Sequence, residues 1–278
     1  MPILMRYKDG KSRALTLSFD DGVVQDKRTV EILNKHNLKA TFFLNSGRIL
    51  SDDSLSSRHL SAKEINHYYD GHEVASHGVT HAFVGAIPKP SVVGEIFNDR
   101  LALENLSGKI VRGFAYPSGS MNNSTTEILR NCGIYYARTN ISSYNFNLPD
   151  DWYRWDLTCR FTDTKLMKYV DLFLNTTPDY KYRPSKLFYA FCHSYEFDNG
   201  DTWYILEDFA EKISDHKDIW YTTNIDFYNY CKAFENLQIS ADEKIVYNPS
   251  AIPVWFSNNG SDFCVQPGET LIFKNIGK

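Results

Sequence analysis

The sequence predicts an α/β fold on a mostly parallel sheet, open or closed into a barrel, with a small β-rich tail. Three observations predict it. Short apolar runs alternate with stretches of helical periodicity to about residue 238, the pattern of strand–helix–strand units. The residues best suited to chemistry, Asp20, Asp21, His77, Pro117 and His193, each follow one of those apolar runs. The C-terminal ends of parallel strands are where sites gather in such folds. From about residue 240 the helical period stops, and short strand-like runs separated by Asn-Gly and Pro-Gly turns take over.

In chain order, Ile3 to Tyr7 and Ala14 to Phe19 read as two strands joined as a hairpin through Asp9-Gly10. Gln25 to His36 is expected to be helical, with Val30 and Leu33 facing inward, and Ala40 to Leu44 is a short apolar strand. Ser61-x-x-Glu64 is a capping box opening a helix that Gly71 stops. Glu73 to Ser76 is the strand that delivers His77. A helix over Val92 to Leu106 precedes a strand at Gly113 to Tyr116. Ser124-x-x-Glu127 opens a further helix closed at Gly133. Ile134 to Ala137, Leu187 to Cys192 and Ile219 to Thr222 continue as strands. Thr164 to Leu174, Tyr204 to Ile213 and Ile225 to Phe234 are helices between and after them. Four short strands are expected at 244–247, 254–256, 263–265 and 270–273. About 40 residues cannot build an independent core, so the division expected is a main domain over 1–238 and an appendage over 239–278 packed on it.

The 278 residues are 42% hydrophobic and 23% charged, as in an ordinary globular protein with a sizeable core. A net charge of −4 carries no nucleic-acid footprint. Five dispersed cysteines without a CxxC pair read as buried free thiols of a reducing compartment. No signal-like N-terminus and no apolar run near the roughly 20 residues of a membrane span is visible, so a cytoplasmic protein without a membrane segment is expected. Aromatics reach 15%. Most should pack in the core, while the stretch from Tyr144 to Trp155 either lines a sugar groove or covers the barrel.

Four segments carry possible chemistry. Ser18-Phe19-Asp20-Asp21-Gly22 places two carboxylates at a strand end. Because consecutive side chains diverge there, one can serve a metal and the other a water. The bland reading is an Asp-rich turn. His77-Gly78-Val79-Thr80-His81 offers two imidazoles to one cation from a loop, since Gly78, Val79 and Thr80 disfavour a regular helix. Tyr116-Pro117-Ser118-Gly119 is either a plain turn or a rigid one whose Ser118 N–H faces a developing oxyanion. Phe188 to His193 is a buried strand ending in a histidine, which either hydrogen-bonds at the core edge or protonates a leaving group. Cys192 beside it reads as a core thiol.

These segments, in this order and at successive strand ends, resemble the polysaccharide deacetylase family, also called NodB-homology or carbohydrate esterase family 4 proteins. Asp20-Asp21 is similar to its Asp-Asp motif and His77-x-x-x-His81 to its two-histidine motif. Tyr116-Pro117-Ser118-Gly119 is similar to its third motif, and His193 to the histidine closing the fifth. The resemblance spans roughly residues 14 to 230. It implies a distorted (β/α) barrel and one divalent cation, zinc with cobalt or nickel possible, on Asp21, His77 and His81. It also implies Asp20 as base, His193 as acid, and Tyr116, Pro117 and Ser118 around the oxyanion and substrate. The implied activity is hydrolysis of acetyl groups from N-acetylated amino sugars of a polysaccharide or glycan precursor. The alternatives are an O-acetyl esterase or other amidohydrolase on the same site, or a catalytically silent carbohydrate-binding protein. Two departures stand out. The family's third motif carries an arginine where this chain has Ala115, leaving Arg112, Arg138, Arg154 or Arg160 as substitutes. The Asp–Trp pair that orients the acid has two candidates, Asp151-Trp152 and Trp155-Asp156.

Overall fold

The computed structural model describes residues 3–49, 58–175 and 184–273. The elements follow in the order β1 (Leu4–Arg6), β2 (Arg13–Asp20), α1 (Asp26–Lys35), β3 (Thr41–Leu44), α2 (Ala62–Tyr68), β4 (Glu73–Ser76), α3 (Lys89–Ser107), β5 (Gly113–Ala115) and α4 (Asn123–Asn131). They continue as β6 (Tyr136–Ser142), β7 (Trp155–Leu157), β8 (Cys159–Arg160), α5 (Leu166–Asn175), β9 (Lys186–Cys192), α6 (Tyr195–Gly200), α7 (Trp203–Ile213), β10 (Ile219–Tyr221) and α8 (Asn224–Glu235). The tail adds β11 (Gln238–Ile239), β12 (Ile245–Tyr247), β13 (Val254–Asn258), β14 (Ser261–Val265) and β15 (Thr270–Ile272).

The main sheet is parallel, in the order β7-β6-β5-β4-β3-β2-β9-β8, with β10 pairing the start of β2. It is a nearly closed barrel. The segment from Trp155 to Arg160 pairs with β6 through β7 and with β9 through β8. Thr158 bridges the two: its N–H donates to the Tyr189 carbonyl at 2.8 Å, and its Oγ1 accepts from the Tyr189 N–H at 3.1 Å. This closing segment had no counterpart among the predicted strands.

Side chains alternate across each strand, and the alternation decides what reaches the site. Leu15, Leu17 and Phe19 of β2 face the helices with Phe42, Phe188 and Ala190 in one buried cluster. Ala14, Phe43, Ala75, Ala115, Tyr136, Tyr189 and Phe191 face the barrel interior. The same parity carries Asp20, His77, Arg138 and His193 inward at the top. Polar rungs lie below them: Thr16 donates to Asn224, and Tyr189 donates to Ser18. Burying each large apolar side chain stabilises the fold by roughly 1.5–3 kcal/mol. A Cβ at Gly113 would overlap the Tyr136 phenol, which donates to Glu73 Oε1 at 2.7 Å inside the barrel.

Two local expectations are corrected. The first two strands form no hairpin: β1 pairs antiparallel with β13 of the tail, and Asp9-Gly10 sits in a short 3-10 turn closed by a Tyr7–Lys11 bridge. The N-cap of α4 is Asn122 rather than Ser124, because Asn122 and Thr125 complete the reciprocal bonds of a capping box. The Ser61–Glu64 box opens α2 as predicted. The tail forms two three-stranded sheets, β1-β13-β14 and β11-β12-β15. Its buried Val246, Val254, Phe256 and Val265 share a cluster with Ala233 and Leu237 at the end of α8. Among the described residues, all five cysteines are free; Cys264 is only partly buried and the other four are buried. No helix of the described residues is long and apolar enough to cross a membrane.

Candidate active site

The top of the barrel holds a cavity of about 190 Å³, lined among others by Asp20, Asp21, His77, His81, Ser118 and His193. The backbone separates the two adjacent aspartates. Asp20 ends β2 pointing inward, whereas Asp21 adopts φ 79° and Gly22 φ 65°, so the chain turns sharply and aims the second carboxylate elsewhere. Such a turn is costly for most residues and tolerated by aspartate and glycine.

Asp21, His77 and His81 each offer one ligand atom, and these atoms lie within 4.8 Å of one another. The His77–His81 segment is a loop, as expected, and α3 grips it with two acids one turn apart. Asp99 accepts from Ser76 Oγ at 2.6 Å, from the His77 N–H at 3.2 Å and from the Gly78 N–H at 3.1 Å. Its other oxygen takes the Ser46 N–H at 2.7 Å. Glu95 accepts from the Thr80 N–H and hydroxyl, both at 2.8 Å. Sequence reading assigned neither acid a role; the only trace was their i,i+4 spacing in a helix. The His77 Nδ1–H donates to the Ala115 carbonyl at 2.7 Å, which leaves the lone pair on Nε2, 3.6 Å from Asp20 Oδ2. Burial pushes His77 down to about 4, so it stays neutral, the form that binds a metal. The donor set of one carboxylate and two imidazoles, with one ring fixed from behind by a carbonyl, suits a divalent cation with an open position.

Asp20 is buried against Arg138, whose NH2 reaches both carboxylate oxygens at 2.6 and 2.5 Å. Burial alone would raise this carboxyl, but Arg138, His77 and His193 outweigh it and hold it below its ordinary value. Of the four arginines open at the sequence level, Arg138 is therefore the one on Asp20. It is the in-register neighbour of Ala115 on the adjacent parallel strand. Arg112 bonds Gly133, Arg154 bonds Asn123, and Arg160 bonds Glu196.

His193 follows β9, the strand paired with β2, and lines the cavity beside the two aspartates, its Nε2 4.0 Å from Asp21 Oδ2. Its Nδ1 lies 2.9 Å from Glu196 Oε1. Burial would lower this imidazole, yet Glu196, Asp20 and Asp21 raise it above its ordinary value. Neither expected aspartate bonds to His193 among the described residues: Asp151 accepts from the Tyr153 N–H, and Asp156 accepts from Thr139. Glu196 was missed; its signal was the His-x-x-Glu spacing at a strand end. Trp152 and Trp155 pack with Phe227, and Trp152 with Tyr228; no residue from 144 to 155 is among those lining the cavity. Ser118 and Tyr116 line the cavity, Ser118 in a tight turn at φ 53°, while Pro117 is buried and does not. Gly119, Arg138, Asn140, Arg160, Phe191 and Tyr195 also line it; Asn140 and Tyr195 were not anticipated, and Arg160 only as a possible partner of Asp20. Burial pushes the Cys192 thiol far up, as fits a core thiol.

Residues 7–137 match the family model described as "Polysaccharide deacetylase". A peptidoglycan-N-acetylglucosamine deacetylase of Bacillus cereus is 34% identical over 41% of this chain and 39% of its own length. A chitin deacetylase of Pestalotiopsis sp is 27% identical over 49% of this chain and 44% of its own. The chain thus spans less than half the length of these curated relatives. Among solved structures, a putative polysaccharide deacetylase from Mycobacterium smegmatis superposes with TM-score 0.61 at 18% identity, over 84% of this chain and 95% of that one. The Xyl-CE4 domain of a multidomain xylanase from a Trinervitermes trinervoides hindgut metagenome reaches 0.55 at 18% identity, over 80% and 92%. Both share the barrel fold.

Proposed function

Residues 7–137 belong to the polysaccharide deacetylase family, and from that premise we propose that this chain is a metal-dependent hydrolase removing acetyl groups from N-acetylated amino sugars of a polysaccharide or glycan precursor. One observation carries the reading: Asp21, His77 and His81 converge beside the ion-paired Asp20 in a cavity that His193 also lines. In this reading the catalytic unit is 1–238, and 239–278 is a packed β appendage.

Asp21, His77 and His81 would hold one divalent cation, zinc with cobalt or nickel as alternatives, which when bound supplies Lewis acidity toward an acetyl carbonyl and toward water. The residues of the chain do the rest. Asp20, kept ionised and pointed by Arg138, takes the proton of the water whose oxygen attacks the acetyl carbon. The Ser118 N–H, in the strained turn beside Tyr116, faces the oxygen on which charge develops. His193 gives its Nε2 proton to the sugar nitrogen as the carbon–nitrogen bond breaks, so acetate and a free amine leave. His193 lies outside the family match, and its role rests on its place in the same cavity as Asp20 and Asp21.

The test is acetate release from N-acetylglucosamine oligomers and from O-acetylated glycans, by zinc-loaded protein, EDTA-stripped protein and Asp20→Asn. Release from the oligomers that both controls abolish is the expected result. Release untouched by Asp20→Asn refutes the mechanism. Release confined to the O-acetylated arm makes the chain an esterase, and zinc binding without any release makes it a silent carbohydrate binder.

A further inference from the structure

Glu196 has no part in the mechanism above, yet its contacts converge on it. The chain turns directly after β9: the Glu196 N–H donates to the His193 carbonyl at 2.9 Å, opening α6. That turn swings a carboxylate three residues on back over the imidazole. Glu196 Oε1 then takes both the His193 Nδ1–H and Arg160 NH2, each at 2.9 Å. Its Oε2 is buried without a hydrogen-bond partner. An unmet buried carboxylate oxygen is a stability cost, so packing alone does not explain the residue. The imidazole is packed as well. Tyr195 stacks at 5.0 Å and 26°, and Phe191 meets it at 5.3 Å and 67°. Arg160 rests on the same Phe191 ring at 4.9 Å. With Nδ1 tied to Glu196 and the ring packed against Tyr195 and Phe191, Nε2 is the nitrogen left to the cavity.

We propose that Glu196 is the positioning residue of His193: its bond to Nδ1–H fixes the ring orientation and the tautomer, so that the proton delivered is always the one on Nε2. The inference rests on the deacetylase reading and deepens it with a residue beyond the matched segment. Nδ1 keeps its hydrogen on Glu196 before and after the transfer, and only the Nε2–H bond breaks. Without the carboxylate the ring is free to present either nitrogen, which lowers the productive fraction of bound complexes and leaves substrate binding intact.

The experiment compares wild type, Glu196→Ala and Glu196→Gln, all zinc-loaded, by steady-state acetate release and by proton–nitrogen NMR of the histidine rings. The kcat of Glu196→Ala should fall about 10- to 100-fold, with KM and zinc content held. Glu196→Gln should recover part of the loss, since its amide oxygen still accepts from Nδ1–H. A downfield Nδ1–H signal, assigned by its absence in His193→Gln, should be present in wild type and lost in Glu196→Ala. An unchanged kcat in Glu196→Ala, equal losses in both Glu196 variants, or a wild type without that signal overturns the inference while an active wild type leaves the deacetylase reading standing. A wild type that releases no acetate from any substrate overturns the reading and the inference with it.

Discussion

Replacing Arg138 by methionine tests the electrostatic core of the site. The side chains of Arg138 and Asp20 are 1% and 4% exposed, so the pair belongs to the buried regime rather than to surface ion pairs worth about 0–1 kcal/mol. The guanidinium also lies over the Phe43 and Phe191 rings at 5.1 and 4.0 Å, so methionine removes these contacts together with the ion pair and leaves the Asp20 charge behind. Breaking a buried pair on one side costs about 3–5 kcal/mol. The sign with pH follows from Asp20. In wild type its folded value lies below the ordinary 3.8, so its contribution is fully present above 3.8 and lost as pH falls through the folded value. In the variant, burial remains and its main counterweight is gone. Asp20 is pushed up, and ionising it opposes folding. The stability gap between wild type and Arg138→Met therefore widens as pH rises through the carboxylate range. Urea unfolding of metal-free protein in EDTA, at about pH 4 and about pH 7.5, measures this as a midpoint shift at constant m. A gap of about 1 kcal/mol or less, or one that does not change with pH, refutes the reasoning. Because Ala115 is the in-register neighbour of Arg138 and parallel strands lie about 4.8 Å apart, Ala115→Arg in an Arg138→Ala background should recover part of the stability.

Asp99→Asn should weaken zinc binding about 10- to 100-fold by chelator competition, because the amide turns an NH2 toward the N–H groups of the histidine loop; unchanged affinity would show that the loop holds its shape without α3. In metal-free protein, ring NMR should find His77 titrating near 4, because burial disfavours its charge, and His193 titrating above 6.5, because Glu196, Asp20 and Asp21 outweigh its burial; matching values for the two rings would contradict the environments described.

The sequence by itself determined the alternation of strands and helices and the placement of Asp20, Asp21, His77 and His193 at strand ends. It did so because these depend on local signals: apolar runs, a capping box at Ser61, glycines past helix ends. Period-two alternation even fixes which residues face the barrel axis once the strands are known. The partners of the site depended on register and closure, which no local signal encodes. Arg138 could not be separated from Arg112, Arg154 and Arg160 until β5 and β6 were paired with Ala115 opposite Arg138. The Asp–Trp candidates looked right by composition, but the segment from Trp155 to Arg160 is consumed in closing the barrel, which leaves His193 to the carboxylate that the next turn returns to it. The first two strands read as a hairpin because Asp9-Gly10 is a turn signal, yet a 40-residue tail without enough core of its own draws β1 into its sheet. Only the folded chain decided those pairings, because each joins residues distant in sequence and is chosen by which surfaces remain to be buried.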